Sequence, residues 1–392
     1  MIRFRRYTIL FVVAFVAVGF SQQRVIAQDL DPRLVNYDIS GQIRFADRTK
    51  AEERREKLVR FIWEHGLPKT RPVVTTLPGI PEELAPVKAE LIAKVDLYTI
   101  EVSLMAFFSR AYVAYPKLQP ANKARLAIVH AGHMGETHEQ GLELGLKDTI
   151  ERLLENGFIV AAMQMPLVNW NKDANGILPN GTSFEIANRS VAGHDELFAK
   201  VEPSIGALIM AFFLEPVVQV TNELLTRHPE NSGLVMVGLS GGGWTTHFSA
   251  ALDPRITLSV PVAGALPLYA RPFSRGSKGD SEQEYPPILR EDDSNNDGVL
   301  DKAVGACSWL EIFALGGIGP SGKRKQVQVI NFDDSCCFNG PVYQTYSESL
   351  SKKVAEIGTG EWQVYVDRTH QSHLISTKTL DEVLMPMLEQ LK

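Results

Sequence analysis

Serine, aspartate and histidine follow one another in this sequence at points where predicted strands end. The serine lies in GLSGG at residues 238–242, directly after four strand-forming apolar residues at 234–237 and before a predicted helix over 244–252. In such a strand–turn–helix, a Cβ two residues before or after the serine would clash, which explains the glycines. Glycine-rich turns also bind phosphates or merely turn the chain. The prediction that Ser240 is a nucleophile therefore depends on partners from the rest of the chain.

Candidate partners for the serine come later in the chain, each at the end of a predicted strand. A serine nucleophile needs a histidine base, and the imidazole needs a carboxylate that holds its tautomer and stabilises its cation. Two aspartates end a strand that begins at residue 326, and two histidines follow a strand over 362–367. They are Asp333, Asp334, His370 and His373. The order predicts a catalytic triad at the carboxyl edge of a parallel sheet.

Backbone N–H groups near the serine are the predicted oxyanion donors. The turn that carries Ser240 aims the N–H of Gly241 and the N-terminus of the following helix at the space above the serine. A second donor is expected from Gly132 or His133, in the loop after a buried strand. The side chains of His130 and His133 are otherwise expected to pack in this loop or face solvent. We predict no metal role for them, because no carboxylate lies at a convincing spacing.

The alternation of buried strands and helices predicts right-handed parallel units, preceded by an antiparallel hairpin over 95–113. Together with the GLSGG turn, this pattern resembles the α/β-hydrolase superfamily over residues 95–392, nearest to exported esterases and peptidase-like hydrolases. The resemblance implies an α/β fold with a mostly parallel central sheet flanked by helices. Cap or lid excursions are expected at 167–200 and 264–325, where periodicity is weak.

The resemblance also favours one member of each candidate pair. In the family, the nucleophile motif falls where Ser240 lies here. The acid follows its strand by a short turn, which implies Asp334 rather than Asp333. The histidine lies a few residues before the last helix, which implies His373 rather than His370.

Residues 28–94 have no counterpart in that core and are predicted to form an N-terminal helical extension. A charged helix is expected over 48–65, with Leu58, Phe61 and Ile62 on one face. We expect this helix to pack on the outside of the core.

Two adjacent side chains in the first excursion are candidates for substrate contact. His194 and Asp195 lie just before a predicted helix. If they do not contact substrate, they are expected to cap that helix.

The second excursion contains an acidic segment that resembles the front half of a calcium-binding loop. Oxygen-bearing residues alternate there and a glycine occupies the sixth position. The candidate ligands are Asp293, Asn295, Asp297 and Asp301. The twelfth position is Val304 instead of a bidentate carboxylate, so the alternatives are a structural calcium ion with other ligands and a solvated acidic turn.

The first 27 residues are predicted to be a signal peptide. Residues 1–6 are basic, 7–20 are apolar, and the small residues before Gln28 place cleavage near Ala27. We therefore expect a secreted or periplasmic protein with no membrane attachment after the signal is removed. The formal net charge of −6 argues against a nucleic-acid partner. The sequence makes no prediction of oligomeric state.

An odd number of cysteines in an exported protein leaves one thiol unpaired, or two adjacent cysteines form a vicinal disulfide. They are Cys307, Cys336 and Cys337. The expected pair joins Cys307 to one of the adjacent two, stapling a loop near the predicted acid.

These features predict an exported serine hydrolase that cleaves a small acyl ester or an acetylated carbohydrate through an acyl-enzyme. No organic cofactor is required for that chemistry. The alternatives are an exported serine peptidase with the same triad and a binding module that kept the fold without the activity. The chain shows no propeller-like repeat of the kind that peptidases of this fold often add, so the esterase is favoured.

Overall fold

The computed structural model describes residues 30–118, 123–133, 139–188, 192–276, 279–320, 324–358, 360–389 and 391. The predicted signal peptide lies outside the described residues. The strands are β1 (Val73–Thr76), β2 (Ile92–Glu101), β3 (Phe108–Pro116), β4 (Ala124–His130), β5 (Phe158–Met163), β6 (Asn175–Ile177), β7 (Ser183–Glu185), β8 (Asn231–Leu239), β9 (Ile256–Val262), β10 (Glu291–Asp292), β11 (Lys302–Ala303), β12 (Arg324–Asn331) and β13 (Gly360–Asp367).

The α-helices are α1 (Arg48–Ile62), α2 (Leu146–Glu155), α3 (Ala192–Ile205), α4 (Ala211–Arg227), α5 (Gly241–Leu252), α6 (Ser281–Glu284), α7 (Pro286–Leu289), α8 (Trp309–Gly317), α9 (Ser347–Ile357), α10 (Thr377–Thr379) and α11 (Met385–Glu389). A π-helical segment, Leu380–Leu384, connects the last two. Short 3₁₀ turns lie between many of these elements.

Nine of the described strands form one sheet in the order β1-β2-β3-β5-β4-β8-β9-β12-β13. Pairs from β1 to β5 along this order are antiparallel. Pairs from β5 to β13 are parallel. The parallel strands β5, β8 and β9 consist largely of buried apolar residues, because both faces of the sheet are covered by other parts of the protein. The predicted mostly parallel sheet and its antiparallel hairpin are confirmed.

The N-terminal extension packs into the core of the protein, whereas it was expected to lie on the outside. Leu58 and Ile62 of α1 are buried as predicted, whereas Phe61 is 41% exposed. Arg55 is buried and donates to main-chain carbonyls of α8 and of Ile318, which ties α1 to the core. The segment also supplies the edge strand β1, so it is not purely helical.

The two excursions differ in how much they belong to the core. Short hairpins form within them, β6–β7 in the first and β10–β11 in the second. The second excursion also contains α8, whose residues are all buried. The last part of the second excursion is therefore core structure, because α8 packs against α5 and against the strands β12 and β13.

The helical stretch Ala192–Arg227 is long and apolar enough to cross a membrane by length and composition. A core helix of a soluble protein meets the same test. The residues of α4, which form the second half of this stretch, are mostly buried inside the protein. Their apolar character is thereby explained by packing.

The cysteines do not pair as expected. A disulfide joins the neighbours Cys336 and Cys337, and Cys307 is a free, buried thiol. Cys307 lies two residues before α8, and its N–H donates to Ile288 O at 2.8 Å. Its side chain is thus part of the apolar core, and the expected bridge from Cys307 is wrong.

This arrangement predicts an alkylation pattern. Burial raises the pKa of the Cys307 thiol well above its usual range, and only an accessible thiolate reacts. Without reductant, iodoacetamide should leave the native protein unmodified and should label Cys307 once the chain is unfolded. Peptide mass spectrometry should find Cys336 and Cys337 two hydrogens lighter than the reduced pair. Native labelling of Cys307 at the unfolded rate would contradict the buried thiol.

A buried carboxyl group in the second excursion predicts a pH dependence of stability. Burial raises the pKa of Glu291 to about 8, against an ordinary value of 4.5. The folded protein thus keeps a proton that the unfolded chain releases, so the free energy of unfolding falls as the pH rises from about 5 to 8. Glu291→Gln should remove this contribution, which is on the order of a few kcal/mol. Urea unfolding of both proteins at pH 5 and pH 8 measures it, and equal pH dependences would contradict the assignment.

Candidate active site

Ser240 occupies a strained turn between β8 and α5. Its φ of 59° and ψ of −125° lie outside the regions that most side chains adopt. The Ser240 N–H donates to Val262 O of β9 at 2.9 Å, which fixes the turn against the sheet. A Cβ at Gly238 would lie 2.1 Å from Gly242 O, and one at Gly242 would lie 2.0 Å from His130 O. Both glycines are therefore required by backbone contacts, as the sequence predicted.

The loop after β4 approaches this turn closely. A Cβ at Gly132 would lie 2.7 Å from both Gly241 N and Ser240 Cβ. Gly241 is the first residue of α5, so its N–H is not used within the helix. The imidazole of His133 lies over Gly241, where a Cβ would be 2.8 Å from His133 Cε1. Two backbone segments with predicted oxyanion donors therefore adjoin the serine.

Asp334 and His373 form a hydrogen-bonded pair. The Nδ1–H of His373 donates to Asp334 Oδ2 at 2.7 Å. The other oxygen, Oδ1, accepts from the N–H of Cys336 at 2.7 Å. Asp334 is buried, and His373 Nε2 has no hydrogen-bond partner among the described residues. An imidazole held by a carboxylate at Nδ1, with a lone pair at Nε2, has the tautomer of a general base.

The rival members of the two candidate pairs lie elsewhere. Asp333 is exposed. His370 Nε2 lies 3.3 Å from Asp367 Oδ2, at the end of β13. Asp367 also accepts hydrogen bonds from Thr369 and Ser376. The structure thus brings together the two residues that the resemblance favoured.

The loop that carries Asp334 is hydrogen-bonded to the loop that carries His373. Ser335 N–H donates to Gln371 O at 3.0 Å, and the Asn331 side chain donates to Leu374 O at 2.9 Å. Ser240, Asp334 and His373 follow β8, β12 and β13, which are parallel strands of one sheet. All three therefore lie at the same edge of the sheet, where sites of open α/β sheets occur.

His194 and Asp195 do not form an open substrate surface. His194 is fully buried, and its Nδ1 lies 3.1 Å from His133 Nε2 and 3.3 Å from Glu282 Oε1. Asp195 is exposed and accepts from the hydroxyl of Ser281. Substrate contact by these two residues stays a prediction.

Glu282 is a site residue that sequence reasoning missed. Its Oε1 lies 3.0 Å from His133 Nε2, although 149 residues separate the two in the chain. Burial raises the pKa of Glu282, but His194 and His133 outweigh burial and hold that pKa far below its usual range. Conversely, burial lowers the pKa of His194, and Glu282 raises it above its usual value. Glu282 is therefore ionised in a buried place.

The candidate calcium ligands are engaged in local hydrogen bonds. Asp293 accepts from the amides of Asp297 and Gly298, and Asn295 also accepts from Asp297. Asp301 accepts from the amide and hydroxyl of Ser294. These contacts are those of a hydrogen-bonded acidic turn. Calcium binding here stays a prediction.

No protein-family model matches the chain, and no curated protein matches it. Solved structures share its fold at 12–15% identity. Acetyl xylan esterase 1 from Thermoanaerobacterium sp. JW/SL YS485 aligns with a TM-score of 0.54 and 14% identity, over 93% of this chain and 100% of that one. An acetyl xylan esterase from Paenibacillus sp. R4 aligns with a TM-score of 0.52 and 12% identity, over 89% and 96%. A methylesterase aligns with a TM-score of 0.53 and 15% identity, over 88% and 67%. The fold of this chain is the α/β-hydrolase fold.

Proposed function

We propose that this chain of the α/β-hydrolase fold is a serine hydrolase that cleaves carboxylic esters. The observation that carries the proposal is the Asp334–His373 hydrogen bond of 2.7 Å, which leaves His373 Nε2 without a partner among the described residues. The pair follows strands parallel to the one that ends in the strained turn of Ser240. A serine alone would be a weak nucleophile, and this pair supplies the base it needs.

In the first half of the reaction, Ser240 Oγ forms a bond to the ester carbonyl carbon while His373 Nε2 accepts the hydroxyl proton. Asp334 stabilises the imidazolium and does not itself take the proton. The N–H groups of Gly241 and of Gly132 or His133 stabilise the negative carbonyl oxygen. When the tetrahedral intermediate collapses, the bond to the leaving alcohol breaks and His373 returns the proton to that alcohol.

In the second half, water hydrolyses the acyl-enzyme by the same route. His373 takes a proton from the water, whose oxygen bonds to the acyl carbon. The bond between that carbon and Ser240 Oγ then breaks, and His373 returns the proton to Oγ. The products are the carboxylic acid and the regenerated serine. No organic cofactor takes part in these steps.

The proposed substrates are acetyl esters of carbohydrates. Two of the structures that share the fold are acetyl xylan esterases, which supports a carbohydrate ester. The predicted signal peptide would bring the protein to polysaccharides outside the cytoplasm.

The experiment compares hydrolysis of p-nitrophenyl acetate, acetylated xylan and peptide p-nitroanilides by the purified protein. Labelling with a fluorophosphonate probe is measured in parallel. Ester hydrolysis with labelling is the expected result. Cleavage of the anilides but not of the esters would overturn the esterase proposal and support the peptidase alternative. A folded protein that neither labels nor hydrolyses would identify a binding module.

A further inference from the structure

Three side chains from distant parts of the chain meet next to the loop after β4. His133 lies in that loop, His194 belongs to α3 in the first excursion, and Glu282 belongs to α6 in the second. His194 and Glu282 are completely buried, and the side chain of His133 is 10% exposed. The proposed ester hydrolysis does not use any of these three side chains.

Their three facing atoms form a nearly equilateral triangle. His133 Nε2 lies 3.1 Å from His194 Nδ1 and 3.0 Å from Glu282 Oε1, and His194 Nδ1 lies 3.3 Å from Glu282 Oε1. Zinc bound to nitrogen and oxygen at about 2.0–2.1 Å in tetrahedral geometry separates neighbouring ligand atoms by about 3.3 Å. The triangle therefore has the size of one face of a tetrahedral site.

The outer hydrogen bonds direct the imidazole lone pairs into this triangle. His194 Nε2 donates to the carbonyl of Pro166 at 2.8 Å, so the neutral imidazole carries its lone pair on Nδ1. His133 Nδ1 lies 3.4 Å from Asp280 Oδ2, so a proton on Nδ1 leaves the lone pair on Nε2. Metal-binding histidines ordinarily donate their second N–H to a carbonyl or carboxylate in this manner.

Glu282 is the most informative member of the cluster. Its Oε2 is buried and has no hydrogen-bond partner among the described residues. A buried carboxylate oxygen without a partner is costly. A cation between His133 Nε2, His194 Nδ1 and Glu282 Oε1 would take up both imidazole lone pairs and balance the buried negative charge of Glu282.

We propose that His133, His194 and Glu282 bind a divalent transition-metal ion of the zinc class. Two imidazoles and one carboxylate are ligands that zinc prefers. The ion would link both excursions to the loop that carries the oxyanion donors Gly132 and His133. Its role is thus to hold the lid segments and that loop in one arrangement, beyond the ester chemistry itself.

Zinc binding is tested on the purified wild-type protein after removal of metals with a chelator. Zinc is then titrated in competition with a chromophoric chelator, and bound metal is measured by elemental analysis. One zinc ion per chain is expected, together with a rise in melting temperature. Cobalt(II) should bind at the same stoichiometry and show the intense visible absorption of tetrahedral coordination. Less than about 0.1 zinc per chain in a folded protein would overturn the proposal.

Glu282→Gln keeps the volume of the side chain and removes the anionic ligand. Its affinity for zinc should fall at least about 100-fold, since loss of an outer partner alone costs 10–100-fold. Glu291→Gln is the matched control, an identical change at another buried carboxyl group, and should bind zinc like the wild type. Unchanged zinc affinity in Glu282→Gln would overturn the assignment of ligands. If Glu282→Gln does not fold, the wild-type stoichiometry decides the proposal, and none of these readouts depends on esterase activity.

Discussion

Replacing Ser240 with alanine should lower kcat for ester hydrolysis by about 10⁵- to 10⁶-fold. The substitution removes the only atom that forms the acyl-enzyme bond in the proposed mechanism. The fold should persist, because the strained turn is held by the Ser240 N–H and by neighbouring glycines that the substitution leaves unchanged. Rates with p-nitrophenyl acetate and labelling by a fluorophosphonate measure the effect.

Ser249→Ala provides a matched control for this prediction. Ser249 is buried on the same helix, α5, and its hydroxyl has no hydrogen-bond partner among the described residues. Its replacement should leave kcat within about twofold of the wild type. A Ser240→Ala protein that keeps a tenth of the wild-type rate would rule out the serine mechanism.

Asp334→Asn should lower kcat by about 10⁴-fold with a much smaller change in KM. An amide at this position donates a hydrogen bond to His373 Nδ1 instead of accepting one, so the imidazole proton moves to Nε2. The base then has no lone pair for the Ser240 proton. Asp333→Asn makes the same change on the exposed neighbour and should have little effect. Equal losses in the two variants would contradict the observed pairing.

The histidines allow the same comparison on the other side of the hydrogen bond. His373→Ala should lose activity about as severely as Ser240→Ala, because residues of a triad act as a unit. His370→Ala should retain most of the activity, since His370 lies next to Asp367 rather than Asp334. A severe loss of kcat in His370→Ala alone would identify His370 as the base.

Local sequence was sufficient for the sheet and for the turn that carries Ser240. The apolar run at 234–237 lies within β8 (Asn231–Leu239), and the strand predicted over 362–367 ends at the same residue as β13 (Gly360–Asp367). The reason is that burial on both faces of a parallel strand imposes an apolar run, which is visible in one segment of chain. Gly238 is required by the turn itself, because a Cβ there would meet Gly242 O. A Cβ at Gly242 would instead meet His130 O of β4, a contact that only the tertiary structure creates.

Residue types and spacing leave the choice between neighbouring candidates open; the resemblance favours Asp334 and His373, and the tertiary structure pairs them by a hydrogen bond. Asp333 and Asp334 are adjacent and chemically identical, and the orientation of each depends on how its loop meets the loop of His373. The cysteines show the same limit, since the sequence could not reveal that Cys307 is enclosed by the core while Cys336 and Cys337 bridge each other.

The cluster of His133, His194 and Glu282 depends on tertiary structure most of all. Spacing along the chain argued against a metal role for His133, because no carboxylate lies at a convincing spacing from it. Glu282 reaches it from the second excursion, 149 residues away. Periodicity reports only which face of a segment is buried. The contacts that a segment of little periodicity makes cannot be predicted from its sequence. They are known only from the tertiary structure, in which the sheet brings its loops together at one edge.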